Sequence, residues 1–235
     1  MDKLLSLPLL LPWLDWLALA GFVVAWIAYA TFARRRARLG ASLLGTTNRI
    51  RERWMLQATW RDNRVLDGVV VQNLSTSPSF FASTTILIIG GLLAVLSAGD
   101  RASTLVQEIP FAQRTSVLVF DLKIVLLTAV FIYAFFRFTW SLRQYGFGAL
   151  LVAALPDASR IDAEGVSRER FAERAGRVMG LAAETFNDGL RAYYMAFAVV
   201  AWFFSPVAFM VATAAVVAVL YRREFGSDVL ALLRE

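Results

Sequence analysis

The sequence predicts an all-α, polytopic membrane protein: four transmembrane helices joined by amphipathic cytoplasmic helices. Three observations predict it. Of 235 residues, 58% are hydrophobic and the mean hydropathy is +0.59, against roughly 45 to 50% apolar usage in soluble domains. Four apolar runs, residues 12–33, 80–98, 117–140 and 192–221, reach the roughly 20 residues that a hydrocarbon core requires. The net charge of +6 comes from 22 Arg and two Lys, and most of these cations crowd into the segments 34–79 and 141–191 and their margins.

The first run follows Lys3 and contains Ala18-Leu19-Ala20, which resembles a cleavage site. Hydropathy nevertheless continues to Ala33 and stops at Arg34-Arg35-Arg36, so the run reads as an uncleaved anchor. The loop that follows carries nine Arg against three acids. Within it Leu43, Ile50, Trp54 and Ala58 recur at helical spacing among Arg49, Arg51, Arg53 and Arg61, a basic amphipathic helix suited to the inner leaflet. The second span opens at Ser77-Pro78, an N-cap followed by proline at the first helical position. Its Ser83, Gly90, Ala94 and Ala98 form a small-residue face that lets helices approach closely in lipid. The same span carries Ser79, Ser83, Thr84 and Thr85, hydroxyls able to line a polar path, with Phe80 and Phe81 as a constriction.

The third run contains two full charges, Asp121 and Lys123. Two residues apart is about 200 degrees on a helix, so they point apart and cannot pair with each other. Lys123 either snorkels outward or, with Asp121, faces a bundle interior, a hydrated cavity or a neighbouring subunit. Residues 144–156 are apolar but too short to span, so they read as a buried turn or short interfacial helix. In the second loop Phe171, Ala175, Val178, Ala182 and Phe186 form a stripe at helical steps, with Ser167 as N-cap. Its apolar face fits the membrane or the other loop helix, or else a partner protein. At the entry to the fourth run, Asn187, Asp188 and Arg191 share one helical face. They read as a polar junction, or as an anion site in which Arg191 works with Arg137 or Arg143.

Two arginine-rich loops argue for a cytoplasmic location of both. The amino terminus and the loop at 99–116, with only Arg101 and Arg114, then lie outside. Four spans place the carboxyl terminus outside as well, which leaves Arg222 and Arg223 against the rule. A hairpin broken at Ser205-Pro206 would avoid this, but limbs of about 14 residues reach only about 21 Å. With no repeat or long linker, the chain reads as one membrane domain over residues 1–235.

Four blocks carry a family resemblance: SPSFFASTTILIIGGLLAVL (77–96), YAFFRFTWSLRQYGF (133–147), FNDGLRAYY (186–194) and VLYRREFGS (219–227). In this order they resemble the bacterial membrane family catalogued as domain of unknown function 599. The resemblance implies a compact multi-span fold in a bacterial inner membrane and imports no activity, cofactor or catalytic residue.

Chemistry is bounded by absences. The chain has no Cys and no His, which excludes disulfides, thiolate or imidazole metal sites and the usual general base near neutral pH. No paired carboxylates or metal-ligand spacing stand out, so neither a cofactor nor an enzymatic role is expected. The expected partners are the lipid bilayer and further copies of the chain, with a membrane-protein partner as a further reading and nucleic acid excluded. The leading functional class is a homo-oligomeric channel or transport-type protein. The alternative is a structural or accessory subunit that docks partners through its amphipathic loops.

Overall fold

The computed structural model describes residues 11–108 and 115–234, so Lys3 and Arg114 lie outside the described residues. The chain is 82% helical. The helices are α1 (Trp13–Arg38), α2 (Leu43–Ala58), α3 (Val65–Ala98), α4 (Asp100–Gln107), α5 (Val117–Ala153), α6 (Arg168–Ala201), α7 (Pro206–Phe225) and α8 (Asp228–Leu232). Among the described residues there is no strand. Among the described residues, the stretches containing α1, α3, α5 and α7 are the four that are long and apolar enough to cross a membrane. The chain is thus a multi-pass membrane protein by length and composition.

Three boundaries differ from the sequence expectation. Helix α3 begins at Val65, and Pro78 lies inside it rather than at its first turn. A proline removes one amide and crowds one carbonyl, a loss that transmembrane helices tolerate when neighbours support the backbone; Pro78 is buried. Residues 144–153 are neither turn nor separate helix but the end of α5, which runs for 37 residues. The run at 192–221 is not one span, because the chain turns at residues 202–205. Its first limb is the apolar end of α6, an amphipathic helix of 34 residues, about 51 Å long. Its second limb is α7, whose 20 residues cover about 30 Å. Measuring only the apolar letters hid the true length of both limbs.

Two compact units divide the chain. The first comprises Met1–Phe32, Thr85–Ala134 and Leu190–Tyr221. Its interior is aromatic: Phe22 meets Phe209 at 5.0 Å, Trp202 stacks on Phe209 at 5.1 Å, and Trp26 meets Tyr133 edge-on at 5.7 Å.

The second unit comprises Ala33–Thr84, Phe135–Gly189 and Arg222–Glu235. Ser42 caps α2, its Oγ accepting the Gly45 amide at 3.1 Å. The turn before it needs Gly40, at φ +68°, and Gly45, where a Cβ would lie 2.4 Å from the Ala37 carbonyl oxygen. Helix α2 then lies on α6, close enough that a Cβ at Gly176 would come within 2.8 Å of Glu52 Cα. Met55, Ala172, Ala175 and Met179 are buried in the shared core. The two loop helices thus cover each other, one of the partners their apolar stripes allowed. The buried face of α2 runs through Leu44, Met55 and Ala58, while Ile50 is exposed.

Arginines tie down the loop between α5 and α6. Arg64 donates to the carbonyls of Leu155 and Pro156. Arg168 donates to the carbonyls of Thr59 and Ala158 and to Asp162, with its guanidinium 3.8 Å from the Trp60 ring centroid. The carboxyl-terminal segment joins the same unit: Glu224 accepts the Leu44 amide at 3.2 Å, and α8 packs against α2 with Leu230 buried. This segment therefore sits beside the first arginine-rich loop, not on the opposite side as four full spans required.

Candidate functional site

The first charged cluster lies in the aromatic unit. Lys123 is only 1% exposed, so it does not snorkel. Its Nζ donates to the Trp202 carbonyl at 2.8 Å and lies 5.3 Å from the Trp202 ring centroid. In a continuing helix that carbonyl would accept the amide of residue 206, but residue 206 is proline and has no N–H. The ammonium takes the place of the missing donor, at the negative end of the α6 dipole. Asp15, also 1% exposed, accepts the Trp202 indole N–H at 2.6 Å and acts electrostatically on Lys123. A buried charge is tolerable only when compensated and hydrogen-bonded, and Trp202 serves both charges, its carbonyl accepting from Lys123 and its indole donating to Asp15.

Asp121 takes no part in this cluster. It is half-buried, and its Oδ1 is buried without a hydrogen-bond partner. The two charges of the third run therefore make no ion pair with each other.

The second cluster lies in the other unit and centres on Asp188, whose side chain is 2% exposed. Its Oδ2 accepts Arg34 Nη2 at 2.6 Å and Arg137 Nη2 at 2.5 Å. Glu184 stands 3.7 Å from Arg34 Nε. Two guanidiniums on one buried carboxylate join the end of α1 and the middle of α5 to α6. Of the residues proposed for a polar junction, Arg137 and Asp188 meet here. Arg191 is buried with its guanidinium 5.7 Å from the Tyr29 ring centroid, Asn187 is half-buried, and exposed Arg143 lies over Phe147 at 6.0 Å.

The hydroxyl residues of α3 divide between two faces. Thr85 is buried and shares a 2.7 Å hydrogen bond with the Tyr193 hydroxyl. Phe81 packs against Phe138 and Phe186 at 5.3 and 5.9 Å. Thr84 bonds the Phe80 carbonyl of its own helix at 2.9 Å. Ser79, Phe80, Ser83, Gly90 and Ala94 are exposed, and a Cβ at Gly90 would meet nothing within 4 Å. The six residues do not line one path within a single chain.

Asp15, Arg34 and Trp202 complete these clusters and were not singled out from sequence. Asp15 carried a usable signal, a carboxylate inside the first apolar run. Arg34 was hidden beside three neighbouring arginines, Arg35, Arg36 and Arg38. Outside the spans, the hydrogen bond from Arg168 holds the exposed Asp162 carboxyl below its ordinary value. Among the described residues no group of three or more acidic side chains is placed to hold a metal ion.

Comparison with curated proteins and with solved structures finds no match. The family model described as "Protein of unknown function, DUF599" matches residues 17–229. That span includes α2 to α7 entire and all but the first turn of α1, so both charged clusters except Asp15 fall inside it. The chain belongs to this family.

Proposed function

We propose that the chain works as a homo-oligomeric membrane protein of channel or transport type, with α3 at the boundary between subunits. One observation carries this reading. Only 11% of the most apolar stretch of α3 is buried within the chain, against 44% for α5, and its exposed side includes Ser83, Gly90 and Ala94. Hydroxyls and glycine gain nothing from lipid, whereas a second helix can pack closely against them. The half-buried Asp121, with one oxygen lacking a partner, adds a polar group available to such an assembly.

The accessory-subunit reading relies on free amphipathic loops. It has less support, because the apolar faces of α2 and α6 are used on each other. No residue chemistry recommends an enzymatic role. We place the arginine-rich loops in the cytoplasm of a bacterial inner membrane. The carboxyl terminus beside α2 then brings Arg222 and Arg223 to that same side, which removes the conflict with the positive-inside rule.

The test is the mass of the purified particle in detergent by light scattering, followed by ion flux into liposomes. A homo-oligomer that Gly90→Leu dissociates, together with flux, is the expected result. A particle that stays monomeric at all concentrations would refute the assembly, and an oligomer without flux would transfer support to a structural role.

A further inference from the structure

We infer that the groove between the end of α1, α2 and α6 is a binding site for a zwitterionic phosphate ester carrying a primary ammonium, the chemistry of a phosphoethanolamine headgroup. This site lies within one unit and does not depend on the channel reading. The groove encloses about 720 Å3. Its charged lining is balanced: Arg38, Arg49 and Arg177 face Glu52, Glu173 and Glu184.

Balance alone would suggest internal salt bridges, but they are missing. Among the described residues, Arg38, Arg177, Glu52 and Glu173 make no ion pair, and Arg49 spends its guanidinium on the Gly40 carbonyl at 2.8 Å. Glu173 and Arg177 are one turn apart in the order that favours pairing on a helix, yet they stay apart. The backbone explains why the charges face open space. Gly176 and Gly180 bring α6 against Glu52 and Asn48, so the helices touch along glycine while the long side chains on either flank splay into the groove.

A simple anion would meet the carboxylates of Glu52 and Glu173 here, and a simple cation the guanidiniums of Arg38 and Arg177. A zwitterion satisfies both sets. Guanidiniums suit phosphate oxygens, and a primary ammonium has three donors for carboxylates. The apolar edge fits an amphiphile: Leu39 is 75% exposed and Leu181 45% exposed, and both line the groove. Arg38 lies five residues beyond the end of the first apolar run, about 7.5 Å along the helix, which puts the groove within reach of a headgroup.

The test uses the full chain in detergent, with native mass spectrometry against phosphatidylethanolamine, phosphatidylcholine and phosphatidylglycerol of identical acyl chains. Phosphatidylethanolamine should be retained at least tenfold better than the other two, because choline cannot donate hydrogen bonds and glycerol carries no cation. Glu173→Gln with Glu52→Gln should abolish that preference, and Arg177→Gln with Arg38→Gln should weaken all three lipids. These side chains are exposed, and circular dichroism checks that the variants fold. Soluble phosphoethanolamine that displaces the lipid would support the site with a free headgroup as its source; failure to displace a selectively bound lipid would support it with the bilayer as source. Equal retention of the three lipids, or selectivity that survives the glutamate changes, would overturn the proposal.

Discussion

Replacing Asp188 by Asn tests whether one buried carboxylate holds α1 and α5 to α6. Asp188 accepts two charge-assisted hydrogen bonds, at 2.6 Å from Arg34 and 2.5 Å from Arg137. Hydrogen bonds to charged groups contribute about 1.5 to 3 kcal/mol each. The Arg34 and Arg137 side chains are 40% and 28% exposed, so water recovers part of what they lose, and the lower end applies to both. Asparagine removes the charge that both guanidiniums share at Oδ2 and leaves two like charges converging on a neutral group. The expected loss is about 3 kcal/mol, which for a chain of this size lowers the melting temperature by roughly 6 to 12 °C. Tryptophan fluorescence during heating in detergent reads it, since the chain has seven tryptophans. Arg137→Gln alone should cost about half as much, because Arg34 still holds the carboxylate. The double substitution should fall short of the sum, as neighbours in one network do. A shift within about 1 °C for Asp188→Asn, or strict additivity of the pair, would refute the clamp.

Three further predictions follow from the other contacts. Lys123→Met should destabilise the fold by about 3 to 5 kcal/mol, the cost of removing one member of a buried pair, with partial restoration when Asp15→Asn is added. Asp121→Asn, at a group outside that cluster, should change the melting temperature little; a larger effect for Asp121 than for Lys123 would invert the assignment. Cysteines introduced at Arg53, Ser159 and Arg234, all exposed, should label with an impermeant reagent from the same side of the membrane, and one at Arg101 from the other. Labelling of position 234 together with 101 would restore the single-span reading of residues 192–221. Gly176→Ala, whose Cβ would fall 2.8 Å from Glu52 Cα, should loosen α2 from α6, whereas Gly146→Ala, with nothing within 4 Å, should be neutral or stabilise by up to about 1 kcal/mol through helix propensity. Melting temperatures of the two alanine variants decide it, and an equal response would show that close approach of these helices is unimportant.

The sequence by itself determined the class of the protein and the separate fates of its two intramembrane charges. Hydropathy is a property of consecutive residues, so the membrane-crossing helices were legible as runs of letters, and the family as blocks of them. Helical periodicity is equally local, which is why Ser167 could be read as the start of a loop helix, and why Asp121 and Lys123 could be read as unable to pair. Tertiary structure decided what local patterns do not contain. That Lys123 replaces the amide Pro206 lacks depends on bringing residues 79 positions apart into contact. That Asp188 belongs to Arg34 and Arg137 rather than to Arg143 depends on which of many arginines the packing of α1 and α5 on α6 delivers. The last apolar run was misread for the same reason. Its length was judged from apolar residues alone, while the helix that carries its first limb is amphipathic and owes its continuation to burial against α2, a contact between segments that no window along the chain includes.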